Sequence, residues 1–307
     1  MDNALSRPMA IFLFCVVIMT WGINWSVTKI IVSSVPPLWT TAIRTAIASV
    51  ALLTVLLACK QFIVPSRHDL RVVFAVSLLH MVAFATLTAT GLQFATVGRS
   101  IVLGYTTPLW LAPAAWLFLG ERITRARAIG IALGLAGLAL MFNPMIFDWS
   151  DRRALMGEGL ILAAALCWAM SMVAIRAHKW IASPFQLVFW QVLLATSILT
   201  TTALLVEGVP QIAWGSEFAW AFLYGGICGT ALGYWAMTMV NRAFPAVTTA
   251  LGSLATPVVG VAVSTIVMGE AFDAVLLVAM IMIIGGIAVG TMPSRFFEGR
   301  RAVEKAR

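Results

Sequence analysis

Ten nearly uncharged stretches, each close to twenty residues long, constrain this chain more than any other feature. They run 9–28, 38–58, 72–95, 100–119, 128–147, 159–175, 185–206, 218–240, 246–269 and 274–292. About 20 residues of α-helix cross the ~30 Å hydrocarbon core of a bilayer. Inside that core only a helix or a closed barrel satisfies its own backbone polar groups. The short alternating segments of a barrel do not occur here. The pattern therefore predicts an all-α membrane protein with ten transmembrane helices. Composition agrees: 61% of residues are hydrophobic, 10% are charged and the mean hydropathy is +0.98, whereas soluble domains carry about 25% charged residues. The first stretch follows only Met1 to Pro8 and has no small-residue cleavage site before polar sequence resumes. It is expected to be a retained helix rather than a cleaved signal.

The two halves of the chain repeat each other. Trp21, Lys29 and Pro37 recur as Trp168, Arg176 and Pro184 at an offset of 147 residues. Pro108 and the Gly120-Glu121 that follows it recur as Pro257 and Gly269-Glu270 at an offset of 149. Each copy holds five apolar stretches. An odd number starts the second copy from the opposite side of the membrane, so the repeats are expected to be inverted. Their bounds are 9–147 and 156–292, followed by a basic tail over 293–307. Inverted repeats related by an axis in the membrane plane occur in secondary transporters and put the substrate site near the midplane, between the halves.

Charge sets the orientation, because cytoplasmic loops keep Lys and Arg. With the N-terminus inside, the cytoplasmic segments hold fifteen basic residues: Arg7; Lys60, Arg67 and Arg71; Arg122, Arg125 and Arg127; Arg176 and Lys179; Arg242; and Arg295, Arg300, Arg301, Lys305 and Arg307. The outer segments hold four, Lys29, Arg99, Arg152 and Arg153. Both termini are thus expected in the cytoplasm, with the protein multi-pass in the inner (plasma) membrane. The net charge of +8 calls for anionic membrane lipid as a partner and no nucleic acid.

Catalytic and metal chemistry finds little support in the residues. Cys15, Cys59, Cys167 and Cys228 lack paired spacing and read as apolar fillers. His68, His80 and His178 are too scattered for a ligand motif. No nucleophile beside a base and no mid-membrane acidic pair is evident, so no catalytic residue, metal or cofactor is expected. A membrane-embedded enzyme and a non-transporting subunit remain as alternative classes.

Thr20-Trp21-Gly22-Ile23-Asn24 with Lys29, the helix from Pro108 that ends in Trp116-Leu117-Phe118-Leu119-Gly120-Glu121, and their echoes in the second half carry a resemblance. They resemble the EamA-type drug/metabolite transporter superfamily over nearly the whole chain. Within it, the abundance of tryptophan and the first helix are most similar to aromatic amino-acid exporters of the YddG type. The resemblance implies a ten-helix exporter with both termini cytoplasmic and a small metabolite as substrate.

A site for a partly apolar solute needs aromatic and small side chains with a few placed polar groups. Trp21, Asn24, Trp25 and Thr28 share one face of the first helix, and Trp168, Ser171 and Met172 repeat it in the sixth. The tryptophans line a cavity or pack the core. His80 lies mid-segment, where a polar ring defaults to function. It holds a substrate carboxylate, carries a coupling proton or makes an interhelical hydrogen bond. Tyr105 precedes Pro108, and Ser253 and Thr256 precede Pro257. Proline-interrupted segments at matching places point to a transporter site and to gating. Tyr224 lies beside Gly225-Gly226 in the eighth segment, with Tyr234 as a secondary candidate. The substrate-binding set is Trp21, Asn24, His80, Tyr105, Trp168, Ser171 and Tyr224.

Gly130, Gly134 and Gly137, with Gly286 and Gly290, read as packing faces within a protomer or in a homodimer. Arg44, whose repeat partner is the neutral Gln191, is expected to snorkel to the outer surface, with a bound carboxylate as the alternative. Glu121 and Glu270, at segment ends, read as structural caps or inter-helix hydrogen-bond partners rather than proton carriers. Every Asp and Glu falls at or near a segment end, which favours facilitated diffusion over proton coupling; the resemblance implies amino acids, aromatic or otherwise apolar, as the exported solutes, with proton-coupled export of other metabolites or drugs as the alternative. The mechanism expected is alternating access.

Overall fold

Helices occupy each of the ten apolar stretches in a computed structural model that describes residues 5–95, 97–142, 150–210, 212, 215–268 and 274–291. In chain order they are α1 (Arg7–Val32), α2 (Pro37–Ala58), α3 (Leu70–Val76), α4 (Ala85–Phe94), α5 (Val97–Gly104), α6 (Thr107–Leu119) and α7 (Arg125–Phe142). There follow α8 (Arg152–Ala177), α9 (Pro184–Val206), α10 (Ser216–Tyr224), α11 (Gly233–Ala243), α12 (Ala246–Ser253), α13 (Ala255–Met268) and α14 (Ala274–Thr291). Strands are absent among the described residues. Six helical segments are long and apolar enough to cross a membrane: Arg7–Val32, Pro37–Ala58, Leu70–Phe94, Ser100–Leu119, Arg152–Ala177 and Pro184–Val206. Shorter apolar helices cover Ala246–Gly260 and Leu277–Thr291. The outer surface is apolar as well: Phe12, Trp116, Leu117, Phe118, Leu205 and Trp220 are each at least 60% exposed. Such a band suits hydrocarbon rather than water.

Local chemistry sets the helix boundaries. Proline opens α1, α2, α6 and α9, where its missing N–H is one of the unpaired first-turn donors in any case. Ser183 and Gln186 close a capping box at the start of α9. Gly120 ends α6 at φ 66°, a left-handed conformation that glycine adopts without penalty.

Two π-helical segments interrupt otherwise continuous rods. Ser77–Phe84 joins α3 to α4, and Gly225–Leu232 joins α10 to α11. A π turn bonds i to i+5, so it rotates the side chains beyond it relative to a regular helix.

Repeat-related elements pack against each other, α2 on α9 and α7 on α14. Between α7 and α14 the glycines permit close approach. A Cβ on Gly130 would lie 2.6 Å from the Gly286 carbonyl, and one on Gly137 would lie 2.8 Å from the Ala279 carbonyl. The glycine faces therefore pack within the protomer.

Charged groups hold the two ends of the bundle. At one end Glu207 accepts hydrogen bonds from the Leu38 and Trp39 N–H groups, at 3.0 and 3.1 Å. There Lys29 donates to the Leu92 carbonyl at 2.8 Å, placing a cation at a helix C-terminus. At the other end Asp69, fully buried, accepts from the Ile181 and Ala182 N–H groups at 3.2 and 3.1 Å and pairs with His178 Nε2 at 2.9 Å. There Arg176 donates to the Arg242 carbonyl at 2.8 Å. Glu121 accepts from the Ala246 N–H at 3.0 Å, which is the capping role expected for it. Glu270 and the basic tail lie outside the described residues.

Candidate functional site

Deep in the bundle, α1, α2 and α8 meet both π-helical segments and Tyr105, and a cavity opens between them. It holds about 60 Å³, below the ~300–1,000 Å³ of sites that enclose a drug-sized ligand. Its floor is aromatic. Trp21 and Trp168 meet edge to face, with centroids 5.6 Å apart. His80 stacks on Trp168 at 5.9 Å and lies 4.6 Å from the Tyr234 ring. Tyr105 stands perpendicular to Trp168 at 5.5 Å, and Trp25 leans on Tyr105. Aromatic pairs favour these edge-on and offset geometries, each worth ~0.5–1.5 kcal/mol beyond area burial.

One wall is polar. Arg44 Nη1 donates to Thr28 Oγ1 at 2.9 Å, and Thr28 donates to its own helix at the Asn24 carbonyl, at 2.7 Å. Asn24 Oδ1, Arg44 Nε and His80 Nε2 are buried with no hydrogen-bond partner among the described residues. Buried polar atoms are normally paired, so three unmet atoms around one cavity mark a place where a polar solute can bind. Trp21 Nε1, by contrast, is spent on the Gly229 carbonyl at 3.0 Å.

The glycines of the second π segment, and Gly233 that follows it at the start of α11, are there for space. A Cβ at Gly225 would stand 2.8 Å from Arg44 Nε. At Gly229 it would run into Asn24 Oδ1, and at Gly233 into Trp21 Nε1. Any larger residue would drive these side chains from the wall.

Five of the seven expected binding residues come together here: Trp21, Asn24, His80, Tyr105 and Trp168. Ser171 does not. It is fully buried, and its hydroxyl donates back to the Trp168 carbonyl at 2.9 Å. Tyr224 also lies off the cavity, its hydroxyl donating to the Thr20 carbonyl at 3.0 Å. The lining adds Tyr234, Phe84, Thr88 and Arg44. Arg44 departs from expectation, since its head turns inward to Thr28 instead of snorkelling outward. The clue was its mismatch with Gln191: a lone charge at a place where the twin is neutral.

Pro108 and Pro257 sit in the first turns of α6 and α13, next to breaks at Tyr105-Thr106 and Leu254. In a helix interior Pro108 would leave the Gly104 carbonyl unpaired. Here the Thr107 hydroxyl donates to it at 3.0 Å. The first break reaches the cavity through Tyr105.

The model of the EamA-like transporter family matches this chain twice, over residues 8–143 and 155–292. The chain belongs to the EamA-like transporter family. Similar proteins include the uncharacterized transporter YvbV of Bacillus subtilis (strain 168), 24% identical over 95% of this chain and 94% of its own length. A "probable amino-acid metabolite efflux pump" of Salmonella typhimurium is 24% identical over 92% of this chain and 95% of its own. The uncharacterized inner membrane transporter YedA of Escherichia coli (strain K12) is 25% identical over 92% and 90%. A solved crystal structure superposes with a TM-score of 0.79 at 22% identity, covering 95% of this chain and 100% of that one. It shares the fold. This EamA-like protein is thus a multi-pass membrane transporter.

Proposed function

We propose that this transporter exports small metabolites, amino acids with an aromatic or apolar side chain foremost, by alternating access. The cavity where Trp21 meets its repeat partner Trp168 carries this reading. A site between the halves can open to either side by rocking one half against the other. The apolar floor suits a planar side chain, and the polar wall suits a carboxylate.

Ten spans in two inverted five-helix repeats accord with the pairing of α2 with α9 and α7 with α14. The excess of basic residues in alternate connections supports cytoplasmic termini and an inner-membrane location. Rocking is proposed to pivot at the breaks beside Pro108 and Pro257. The solute leaves chemically unchanged. Lipid surrounds the bundle, and a homodimer formed through other faces is compatible with the α7–α14 glycines being used internally.

Transport is proposed to be facilitated diffusion, since no Asp or Glu lines the cavity and carboxylates commonly act as proton relays in pumps. His80, the one histidine in the lining, supports the second reading, proton coupling. Flux of L-phenylalanine and L-tryptophan in proteoliposomes tests both. Movement down the gradient with or without an imposed pH difference is the expected result. Strong acceleration by the pH difference, lost in His80→Gln, would replace uniport with coupling. Conversion of the solute to a product would point to an enzyme, and no movement of any amino acid or related metabolite would point to a non-transporting subunit.

A further inference from the structure

We infer that Arg44 is the anion anchor of the cavity, and that it selects solutes by a free carboxylate rather than by an amine. The inference deepens the proposed function, because it rests on the same cavity. Among the described residues Arg44 is the one charged side chain in the lining, and no carboxylate lies there with it. A guanidinium stays protonated in any protein environment. Arg44 is half-buried with its Nε fully so, and a charge withdrawn even partly from water without a counter-ion is costly. Here the partner found is a neutral hydroxyl, Thr28 Oγ1, while Nε is unpartnered among the described residues. A planar guanidinium with free donors matches a carboxylate in fork geometry.

The position of the charge is asymmetric, which gives the solute a direction. The two π-helical segments, Ser77–Phe84 and Gly225–Leu232, are counterparts in the repeat, with His80 in the first and Gly229 in the second. On one side of the pseudo-symmetric core, Gly229 carries no side chain, and Asn24 and Arg44 press against it. The other segment carries the buried His80, and the repeat twin of Arg44 is the neutral Gln191. The glycine that makes room for Asn24 and the positive charge therefore fall on the same side. A solute's carboxylate lies toward α2, and its apolar body lies toward Trp21, Trp25 and Tyr105. Asn24 Oδ1, a buried acceptor without a donor, offers an ammonium a neutral partner only.

The test is calorimetric titration of the purified full-length protein with three ligands of one shape: 3-phenylpropionate, 3-phenylpropanamide and 3-phenylpropylamine. Wild type is expected to bind the carboxylate at least about tenfold more tightly than the amide or the amine, as a charge-assisted fork interaction implies. Arg44→Gln, which copies the twin residue, is expected to reduce that preference to about onefold, and Arg44→Lys to restore part of it. Thermal unfolding of each variant separates lost binding from lost folding. Amide or amine binding as tight as the carboxylate overturns the inference, as does binding of none of the three by wild type. So does a preference unchanged in a folded Arg44→Gln. Carboxylate selection without amino-acid flux in liposomes would leave Arg44 as the anchor and overturn the amino-acid reading alone.

Discussion

Ser49 on α2 and Thr196 on α9 touch through their hydroxyl oxygens at 3.2 Å, and they are separated by the 147 residues of the early repeat offset. A residue that meets its own repeat counterpart lies on the axis relating the two copies. Trp21 and Trp168 share that offset and that behaviour, 5.6 Å apart by ring centroid. The axis thus passes through both a hydroxyl pair and the floor of the cavity. An isologous contact of this kind pairs a surface with its own equivalent. In Gly130 against Gly286 and Gly137 against Ala279, one packing contact occurs twice in reciprocal form.

The hydroxyl pair on the axis is expected to be coupled. Ser49→Ala and Thr196→Val should each lower stability by about 1 kcal/mol, the net worth of one hydrogen bond. Together they should cost less than the sum, with an interaction energy of ~0.5–1 kcal/mol in a double-mutant cycle. Reversible unfolding in mixed micelles measures it, and strict additivity would remove the contact.

The glycine seam of α7 and α14 allows no added atom. Gly130→Ala would place its Cβ 2.6 Å from the Gly286 carbonyl, so overpacking is expected to cost ~1–3 kcal/mol. Gly159→Ala on the exposed face of α8 meets nothing within 4 Å. It should instead stabilise by up to ~1 kcal/mol, since Ala is the better helix former. Thermal shifts of opposite sign in the two variants are the expected result.

Asp69 ties the segment before α3 to the turn before α9. Burial alone would raise its pKa, but hydrogen bonds from His178, the Ile181 N–H, Ser66 and the Ala182 N–H outweigh burial and hold it below the usual carboxylate value. A depressed folded-state pKa means that ionised Asp69 stabilises the fold above the ordinary value of ~3.9. That stabilisation is lost as the pH falls below it, through the folded-state value. Wild-type thermal stability should therefore drop on acidification below about pH 4. Asp69→Asn should be less stable at pH 7 by ~1–3 kcal/mol, the cost of orphaned buried donors, and should respond less to acid. A variant as acid-sensitive as wild type would assign the response to another group.

Much of the scaffold was legible because its determinants are long-range in sequence but simple in kind. Bilayer length fixes the apolar runs, and the offsets of Trp21 to Trp168 and Pro108 to Pro257 fix the repeat. Trp21, Asn24, Trp25 and Thr28 recur at helical spacing and do share the cavity face. The errors have physical causes. Repeat logic extended Asn24 to Ser171, yet His80 and Trp168 crowd the core on that side, and Ser171 turns its hydroxyl back to its own helix. Tyr224 precedes the π-helical segment and Tyr234 follows it. The extra residue in that turn rotates Tyr234 into the cavity, and a 3.6-residue period cannot anticipate it. Arg44 was read as a snorkelling cation because hydropathy carries no information on which way a long side chain bends. Its hydrogen bond to Thr28 does.

The solute is proposed to bind on the aromatic floor where the two copies meet. L-tryptophan and L-phenylalanine counterflow in proteoliposomes should be compared for wild type, Trp21→Ala, Trp168→Ala and Trp220→Ala, the last removing a tryptophan that is 72% exposed on the outer surface. Flux is expected to fall at least about tenfold in the first two variants, the loss that follows when ~1.4 kcal/mol or more of binding is removed. Trp220→Ala should match wild type. Cavity variants that fold and transport as well as Trp220→Ala would contradict binding on this floor.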